Sequence, residues 1–208
     1  YIKKVYLKSN KTGATPIGSS TSPLTIEDES ELKAFRDAVN NYGVYKGCAN
    51  YDGFKDVHFK VTVNIALTDW TEPIGVHNSF KGVFDGNGKT IKIRNVTFET
   101  IQDDGIVTFG NALFGYTENA TIKNLTVATL EDETSDDSTE ETIEVTIREG
   151  NILQTVYLGG IIGNAKYTTL EQCINYRKLY ISESCDADNF YCAGLVAYAQ
   201  KACTYEKC

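Results

Sequence analysis

The sequence is short of the residues that membrane spans, zinc sites and basic binding surfaces require. It has no methionine, one tryptophan, three prolines and two histidines. No apolar run approaches the roughly 18 residues that a transmembrane helix needs. The 20 Lys and Arg residues are outnumbered by 28 Asp and Glu residues, which gives a net charge of −8. We therefore expect no direct membrane insertion and no nucleic-acid binding by simple attraction.

Glycine is plentiful, with 17 residues, and much of it belongs to an internal repeat. Each copy pairs a small–apolar–apolar–small tetrad with a short strand flanked by polar residues. The tetrads read ALFG at 112–115, GIIG at 160–163 and GLVA at 194–197, and the segment FKGVFDGNGKTIKI at 80–93 precedes them. In the alignment of the copies, Leu113 matches Ile161 and Ile122 matches Leu170 without a gap.

The spacing of the copies predicts the fold class. The copies begin at Gly82, Ala112, Gly160 and Gly194, separated by 30, 48 and 34 residues. An antiparallel sandwich would show turns every ~8–12 residues, whereas stacked turns of a solenoid tolerate loops of variable length. Stacking also buries the inward residues of each copy against those of the next. We predict an all-β fold, a right-handed parallel β-helix.

Two inward rows of side chains are expected after the tetrads, because their members hold the same place in successive copies. The first predicted row comprises Ile91, Ile122, Leu170 and Tyr205. The second comprises Ile93, Leu125, Cys173 and Cys208.

The tetrads resemble the GLUG motif of bacterial and protist surface proteins. The segment FKGVFDGNGKTI resembles the one that begins the same β-helices, and WTEPIG at 70–75 resembles the W-x-P-I-G element of that family. The resemblance covers the chain from about Leu24 onward, although Ala112 and Ala197 replace glycines. It implies a non-enzymatic surface or adhesin-like protein with no catalytic residues.

An amphipathic helix is predicted before the repeat. Asp28 and Glu31 form a capping box, and apolar residues follow at helical spacing until 40–43. These residues are Leu32, Phe35, Ala38 and Val39. Such a helix suits the open end of a β-helix. The predicted domains are therefore an N-terminal cap at 1–79 and β-helix coils at 80–208, with an acidic insertion at 128–151.

Three further predictions concern the segments between these features. Strict alternation at 57–65 predicts the clearest strand of the chain. Residues 99–110 are predicted to form an extended loop. Trp70 lies beside a Pro-Ile-Gly turn, which favours core packing over a sugar-stacking platform.

The acidic run at 130–141 contains seven carboxylates in twelve residues. Like charges repel and stay hydrated, so a solvated loop is the first interpretation. A Ca²⁺ site is the second, with Asp132, Asp136 and Asp137 as candidate ligands, although the EF-hand pattern is missing. Catalytic carboxylates are the third. No other cofactor is expected.

Six cysteines, five of them between Cys173 and Cys208, match no CxxC zinc pattern. They favour disulfides in an oxidising compartment over buried free thiols, and hence an extracellular or cell-surface location. Cys185 and Cys192 could close a local loop. Cys173 and Cys208 hold equivalent positions in neighbouring coils, where stacked residues are ~4.8 Å apart, within reach of a disulfide.

Four N-x-S/T sequons are candidate glycosylation sites. They lie at Asn10, Asn95, Asn119 and Asn124. Asn124 is placed on a strand beside the inward Leu125, where a stacked or turn Asn is the stronger interpretation.

Pectate lyases and polygalacturonases share the pectin-lyase-like β-helix, so catalysis has to be tested on the residues. Hydrolysis needs paired carboxylates on one face. Asp85 lies in a turn that its own side chain stabilises, and Asp103 and Asp104 have a turn composition. No Asp–His or Lys–Asp pair recurs in equivalent positions, so we expect no enzyme.

The function expected from the sequence is an extracellular scaffold or adhesive surface, part of a longer surface protein or assembly. We expect a protein partner, or further coils of the same chain, at the C-terminal end. The alternative is a carbohydrate-binding module or a polysaccharide lyase or hydrolase on the same fold. Outward Tyr157, Tyr191 and Tyr198 in a row would favour glycan binding, and packed ones would favour a scaffold.

Overall fold

The computed structural model describes residues 16–94, 97–102, 105–110, 112–130, 153–177 and 187–208. These residues form a mostly β structure with one helix, α1 (Glu29–Asn40). The strands are β1 (Leu24–Ile26), β2 (Val44–Tyr45), β3 (Cys48–Ala49), β4 (His58–Val61), β5 (Ile65–Leu67), β6 (Val83–Ile93), β7 (Thr97–Gln102), β8 (Gly105–Gly110), β9 (Phe114–Glu118), β10 (Thr121–Thr129), β11 (Gln154–Gly159), β12 (Ile162–Lys166), β13 (Thr169–Glu171), β14 (Ile174–Asn175), β15 (Asn189–Ala193), β16 (Val196–Gln200) and β17 (Thr204–Glu206).

Three parallel sheets organise the strands. The largest runs in the order β1-β4-β6-β10-β13-β17, with β5 beside β6 and β14 beside β10. The second has the order β15-β11-β8-β7 and the third the order β16-β12-β9. From β6 onward, the parallel neighbours in each sheet therefore come from successive copies of the repeat. Only β7 with β8 and β2 with β3 are antiparallel among the described pairs.

The alignment of the tetrads is confirmed by the strand register. Phe114 pairs with Ile162 and Ile162 with Val196, the same alignment that matches Leu113 with Ile161. In the largest sheet Ile122 pairs with Leu170. Leu170 in turn pairs with Tyr205, as expected for the first predicted row.

Two members of the predicted rows are wrong. Ile91 pairs with Ile65 and Val127, while Phe84 takes the place beside Ile122. Ile93 pairs with Leu67 and Thr129, so it does not continue the row of Leu125. The cause is the Gly-rich segment 86–88, which does not precede the strand but lies within β6.

A bulge at this segment absorbs the extra residues. The register between β6 and β10 shifts between Lys123 and Leu125. An added Cβ on Gly86 would lie 2.6 Å from both the Asn124 carbonyl oxygen and Leu125 Cα, so only glycine fits there. Asp85 stabilises the bulge, since its Oδ1 accepts the Asn87 N–H at 2.8 Å. The predicted turn role of Asp85 is confirmed.

Bends recur at equivalent positions after the inward row. Asn87, Asn124, Gln172 and Lys207 all have φ between 50° and 54°. The last three follow the paired residues Ile122, Leu170 and Tyr205 by two positions. Asn87 and Asn124 lie within β6 and β10, whereas Gln172 and Lys207 directly follow the ends of β13 and β17. The left-handed conformation therefore bends the chain at the same level in each copy.

The predicted helix is confirmed, including its ends. Asp28 is the N-cap and its Oδ1 accepts the Glu31 N–H at 2.8 Å. The Glu31 carboxylate accepts the Glu27 N–H at 2.8 Å, one residue before the partner expected for a capping box. The predicted stripe is buried. Phe35 is its centre, with five aromatic rings at centroid distances of 4.5–6.2 Å: Tyr45, Phe54, Phe59, Phe80 and Phe84.

The predicted strand at 57–65 is two strands, β4 and β5, with a bend between them. Phe59, Val61 and Ile65 are buried, but Val63 is 42% exposed. At the bend, Asn64 Oδ1 accepts the Thr90 N–H at 2.9 Å. The strand has to bend because its neighbour β6 carries the bulge at the same level.

The predicted loop at 99–110 is also wrong, because residues 99–102 and 105–110 belong to the antiparallel strands β7 and β8. The predicted domain boundary at 79/80 crosses a continuous sheet, since β1 and β4 precede it and β6 follows it.

Trp70 is 3% exposed, and the predicted core packing is confirmed. In the described part of the chain no helix has the length and apolarity that a membrane crossing demands.

Candidate functional site

The five described cysteines are free thiols, and Cys185 lies outside the described residues. Cys173 is buried and Cys208 is exposed, yet the Cys173 amide nitrogen lies 3.4 Å from Cys208 Sγ. Burial raises the pKa of the Cys173 thiol to about 12. Cys192 is exposed. The disulfides Cys173–Cys208 and Cys185–Cys192 stay predictions. The structure brings Cys173 and Cys208 close together in space.

Two of the four sequons are described, whereas Asn10 and Asn95 lie outside the described residues. Asn119 is exposed at a bend with φ 53°, so its side chain is accessible. Asn124 is half-buried, and its Nδ2 donates to Asp85 Oδ1 at 2.9 Å. A glycan on Asn124 would need the nitrogen that makes this bond. The structure therefore favours Asn119 as a candidate and supports the turn interpretation of Asn124.

The candidate Ca²⁺ ligands Asp132, Asp136 and Asp137 lie outside the described residues, as do Asp103 and Asp104. Within residues 16–94 and the other described segments, no group of three or more His, Cys, Asp or Glu side chains could hold a metal ion.

The described carboxylates on the repeat make structural contacts. Asp85 bonds the bulge and lies 3.8 Å from Lys123 Nζ. Glu118 lies 2.7 Å from Lys166 Nζ and 3.4 Å from Lys81 Nζ. The bond from Lys166 holds the pKa of the Glu118 carboxyl below its usual value. Both carboxylates thus bridge neighbouring strands. The lowered pKa keeps the Glu118 carboxyl ionised, which does not suit a general acid.

Three tyrosines of the repeat pack between the second and third sheets: Tyr157, Tyr191 and Tyr198. Tyr157 pairs with Phe109 and Tyr191 in the second sheet, and these rings are stacked at centroid distances of 5.6 and 5.5 Å. Tyr198, from the third sheet, lies 4.4 Å from Tyr191 and 6.0 Å from Tyr157. Tyr157 is 8% exposed. This aromatic cluster holds the two sheets together, which by the criterion above favours a scaffold.

The most distinctive surface is formed by residues 189–206, which carry the last three strands. β15, β16 and β17 are each the edge strand of their own sheet. They come from one copy of the repeat and lie at the same side of the three sheets. Tyr205 is 45% exposed although its equivalents Ile122 and Leu170 are fully buried. We call residues 189–206 the terminal edge.

A row of charged side chains leads to this edge across the largest sheet. Its members follow the inward row by one residue and pair in register: Lys60, Asp85, Lys123, Glu171 and Glu206. The sign alternates along the first four and then repeats, because Glu206 stands beside Glu171. We call this set the charged row.

The charged row was missed in the sequence, although a signal for it was present. Each member directly follows an inward apolar residue, as Lys123 follows Ile122 and Glu206 follows Tyr205. An alignment centred on Phe84 instead of Ile91 would have placed Asp85 in the row.

No family model matches the chain, and neither a curated protein nor a solved structure matches it.

Proposed function

We propose that this protein is a right-handed parallel β-helix that serves as a non-catalytic scaffold or adhesive surface outside the cell. One observation carries the architectural part. Three parallel sheets each take one strand from the same successive copies, in matching register. A solenoid produces this arrangement because each turn contributes one strand to each of its faces. Right-handed connections are the rule between parallel strands of one sheet.

The scaffold role is supported by how the polar groups on the repeat are used. Asp85 and Glu118 connect strands of neighbouring copies, and the aromatic cluster around Tyr157 connects two sheets. Such contacts make a rigid surface. In a glycoside hydrolase, two carboxyl groups would instead flank a cleft at a defined separation. The helix α1 covers the first copies and fits the role of an N-terminal cap.

An extracellular location is the second part of the proposal. It is supported by the number of cysteines, by the adjacency of Cys173 and Cys208, and by the accessible sequon at Asn119. Non-reducing peptide mapping of protein from its native source provides the test. A Cys173–Cys208 crosslink supports this location, and six free thiols contradict it.

Activity assays test the non-catalytic role. The purified chain is incubated with polygalacturonate and other acidic glycans, with and without Ca²⁺, beside a known lyase as positive control. We expect no new reducing ends and no unsaturated products. Turnover that is lost in Asp103→Asn, Asp104→Asn or a double Asp136→Asn/Asp137→Asn variant would assign an enzyme instead. Saturable binding on a glycan array that is lost in Tyr198→Ala would assign a carbohydrate-binding module.

A further inference from the structure

Two exposed tyrosines flank the β2–β3 hairpin, which follows helix α1. Tyr42 is 56% exposed and Tyr51 is 89% exposed. Within the hairpin, Tyr45 is buried in the core while its neighbour Val44 is exposed, as expected where side chains alternate between two faces. Ala49 pairs with Val44 and therefore lies on the same outward side. We call these four outward residues the hairpin face: Tyr42, Val44, Ala49 and Tyr51.

The fold alone does not account for a tyrosine at position 42. This residue follows the C-cap Asn41 of α1, and the Gly43 N–H donates to the Ala38 carbonyl at 2.9 Å, which closes the helix end. The position between these two residues usually holds glycine, because its backbone is left-handed. Tyr42 adopts φ 52° in spite of its bulk. Its ring gains little burial in return, and conformations of this kind cluster at functional sites.

The charges around the hairpin face are already paired with one another. Residues 40–51 contain one charged side chain, Lys46, and its Nζ lies 2.7 Å from a Glu31 carboxylate oxygen. Next to Tyr51 in the sequence, Asp52 lies 2.8 Å from Lys81 Nζ. The four residues of the face carry no charge themselves. A ligand of complementary charge is therefore neutral, and the net charge of −8 repels anionic ligands.

The size of the hairpin face also restricts its ligand. A stable protein–protein interface uses about 20–30 residues on each side. Four uncharged side chains beside paired ions fall short of that, whereas two or three sugar units would cover them. The aromatic ring has a negative face, which attracts the weakly positive C–H groups of a pyranose. The tyrosine hydroxyl can both donate to and accept from the hydroxyls at the sugar rim.

We propose that the hairpin face binds a neutral glycan, with pyranose rings stacked on Tyr42 and Tyr51 and with Val44 and Ala49 as apolar contacts beside them. The inference rests on the proposed adhesive role and names the class of ligand. Its site is separate from the packed tyrosines of the aromatic cluster. Turnover of a glycan would contradict the non-catalytic function alone, so the two failures are distinguishable.

The probes are neutral hexasaccharides of glucose, N-acetylglucosamine, mannose and galactose, with hexagalacturonate as the acidic comparison. Isothermal titration calorimetry with the full chain should show saturable binding of at least one neutral probe. Hexagalacturonate should bind about ten-fold or more weakly. In NMR spectra, the ring resonances of Tyr42 and Tyr51 should shift on binding, and those of the buried Phe59 should not.

Variants of Tyr51 test the stacking contact. Tyr51→Ala should weaken binding about ten-fold or more, because the ring is lost. Tyr51→Phe keeps the ring and should retain affinity within about three-fold of the parent. Tyr176→Ala is the matched control, because Tyr176 is 69% exposed and directly follows β14, outside the hairpin face. It should bind as the parent does.

Tyr42→Gly separates a binding role from a structural one. Glycine suits the left-handed backbone at this position, so the melting temperature should equal or exceed that of the parent. The same variant should lose binding about ten-fold or more, because the second ring is gone. A stabilised variant that no longer binds is the expected result. A lower melting temperature with unchanged binding would assign the ring to the fold instead.

Three further results would overturn the proposal. The first is the absence of saturable binding to every neutral hexasaccharide, or binding of hexagalacturonate that is equally tight. The second is an affinity of Tyr51→Ala equal to that of the parent, with circular dichroism showing that the variant is folded. The third is self-association of the chain, measured by analytical ultracentrifugation and abolished in Tyr51→Ala, which would assign the hairpin face to a protein partner.

Discussion

Asn40, the last residue of α1, fastens the helix to the turn that leads into the repeat. Its Nδ2 donates to the Pro73 carbonyl at 3.1 Å, and its Oδ1 accepts the Gly75 N–H at 2.7 Å and the Val76 N–H at 3.2 Å. The side chain is 1% exposed. Water therefore cannot replace these bonds when the amide is removed, and the backbone groups of the turn lose their partner.

Replacing Asn40 by Ala should lower the free energy of unfolding by about 2 kcal/mol or more, because buried backbone groups are left unsatisfied. Urea unfolding followed by circular dichroism measures the loss. Asn41→Ala is the control, since Asn41 makes an exposed bond of its side chain to the Asp37 carbonyl. Equal stability of the two variants would show that Asn40 does not hold the turn.

Cys173 should be the least reactive described thiol of the reduced, folded protein. Burial raises its pKa from 9.0 to about 12. At pH 8 its thiolate fraction is then on the order of 10³-fold below that of an ordinary thiol. Mass spectrometry after alkylation with iodoacetamide should show slow modification of Cys173 and rapid modification of the exposed Cys208. The difference should vanish in urea.

The raised pKa of the Cys173 thiol also determines how the stability of the fold changes with pH. The unfolded chain ionises at Cys173 near pH 9, whereas the folded chain stays neutral up to about pH 12. The contribution of Cys173 to stability is therefore complete below pH 9 and is lost as the pH rises through this range. Alkylation of Cys173 as fast as that of Cys208 would contradict both statements.

Individual inward residues could be read from the sequence only where the repeat has no insertion. Ile122 and Leu170 align without a gap and do pair. Ile91 was placed wrongly because it follows a Gly-rich segment that looks like a turn before a strand. Its true place depends on how closely Gly86 approaches Asn124 and Leu125. That is a contact between distant residues, and the local pattern does not contain it.

At the level of elements, the first glycine of a tetrad sets how closely two copies approach. An added Cβ on Gly160 would collide with the Gly194 carbonyl oxygen of the next copy and with the Asn175 side chain. A Cβ on Gly194 would meet no atom within 4 Å. Neither residue has a positive φ. The two equivalent glycines thus differ in what packs above them and not in backbone conformation.

Gly160→Ala should therefore destabilise the protein by about 1–3 kcal/mol, as overpacking does. Gly194→Ala should have little effect, and it is the matched control because it holds the same place in its tetrad. Thermal unfolding of both variants distinguishes them. A melting temperature of Gly160→Ala within a degree of that of Gly194→Ala would contradict the close approach of the copies.

The helix was predicted and the hairpin was missed, although both carry local signals in the sequence. α1 carries its signals locally, in the cap at Asp28 and the apolar spacing. The β7–β8 hairpin has a local signal too, since alternating residues flank Asp104-Gly105. The position of these residues between the first two copies of the repeat favoured a loop instead. The aromatic cluster depends on two sheets facing each other, which no single segment specifies.

For the molecule as a whole, the three sheets add their strands in the same direction along the chain. Each begins at or near the first copies, and each ends in the terminal edge. At the first end, Tyr45 covers β1, since its hydroxyl donates to the Thr25 carbonyl. At the other, the described residues leave β17 with one partner strand and an exposed ring.

The same asymmetry predicts a gradient of local stability. β10 pairs with β6 on one side and with β13 and β14 on the other, and its inward residues Ile122, Leu125 and Val127 are fully buried. Its amides should exchange through global unfolding, which for domains of ordinary stability costs about 5–15 kcal/mol. The Tyr205 amide faces the open edge and should exchange with almost no protection. Hydrogen exchange followed by NMR measures both. Protection of the Tyr205 amide equal to that of the Ile122 amide would contradict this gradient.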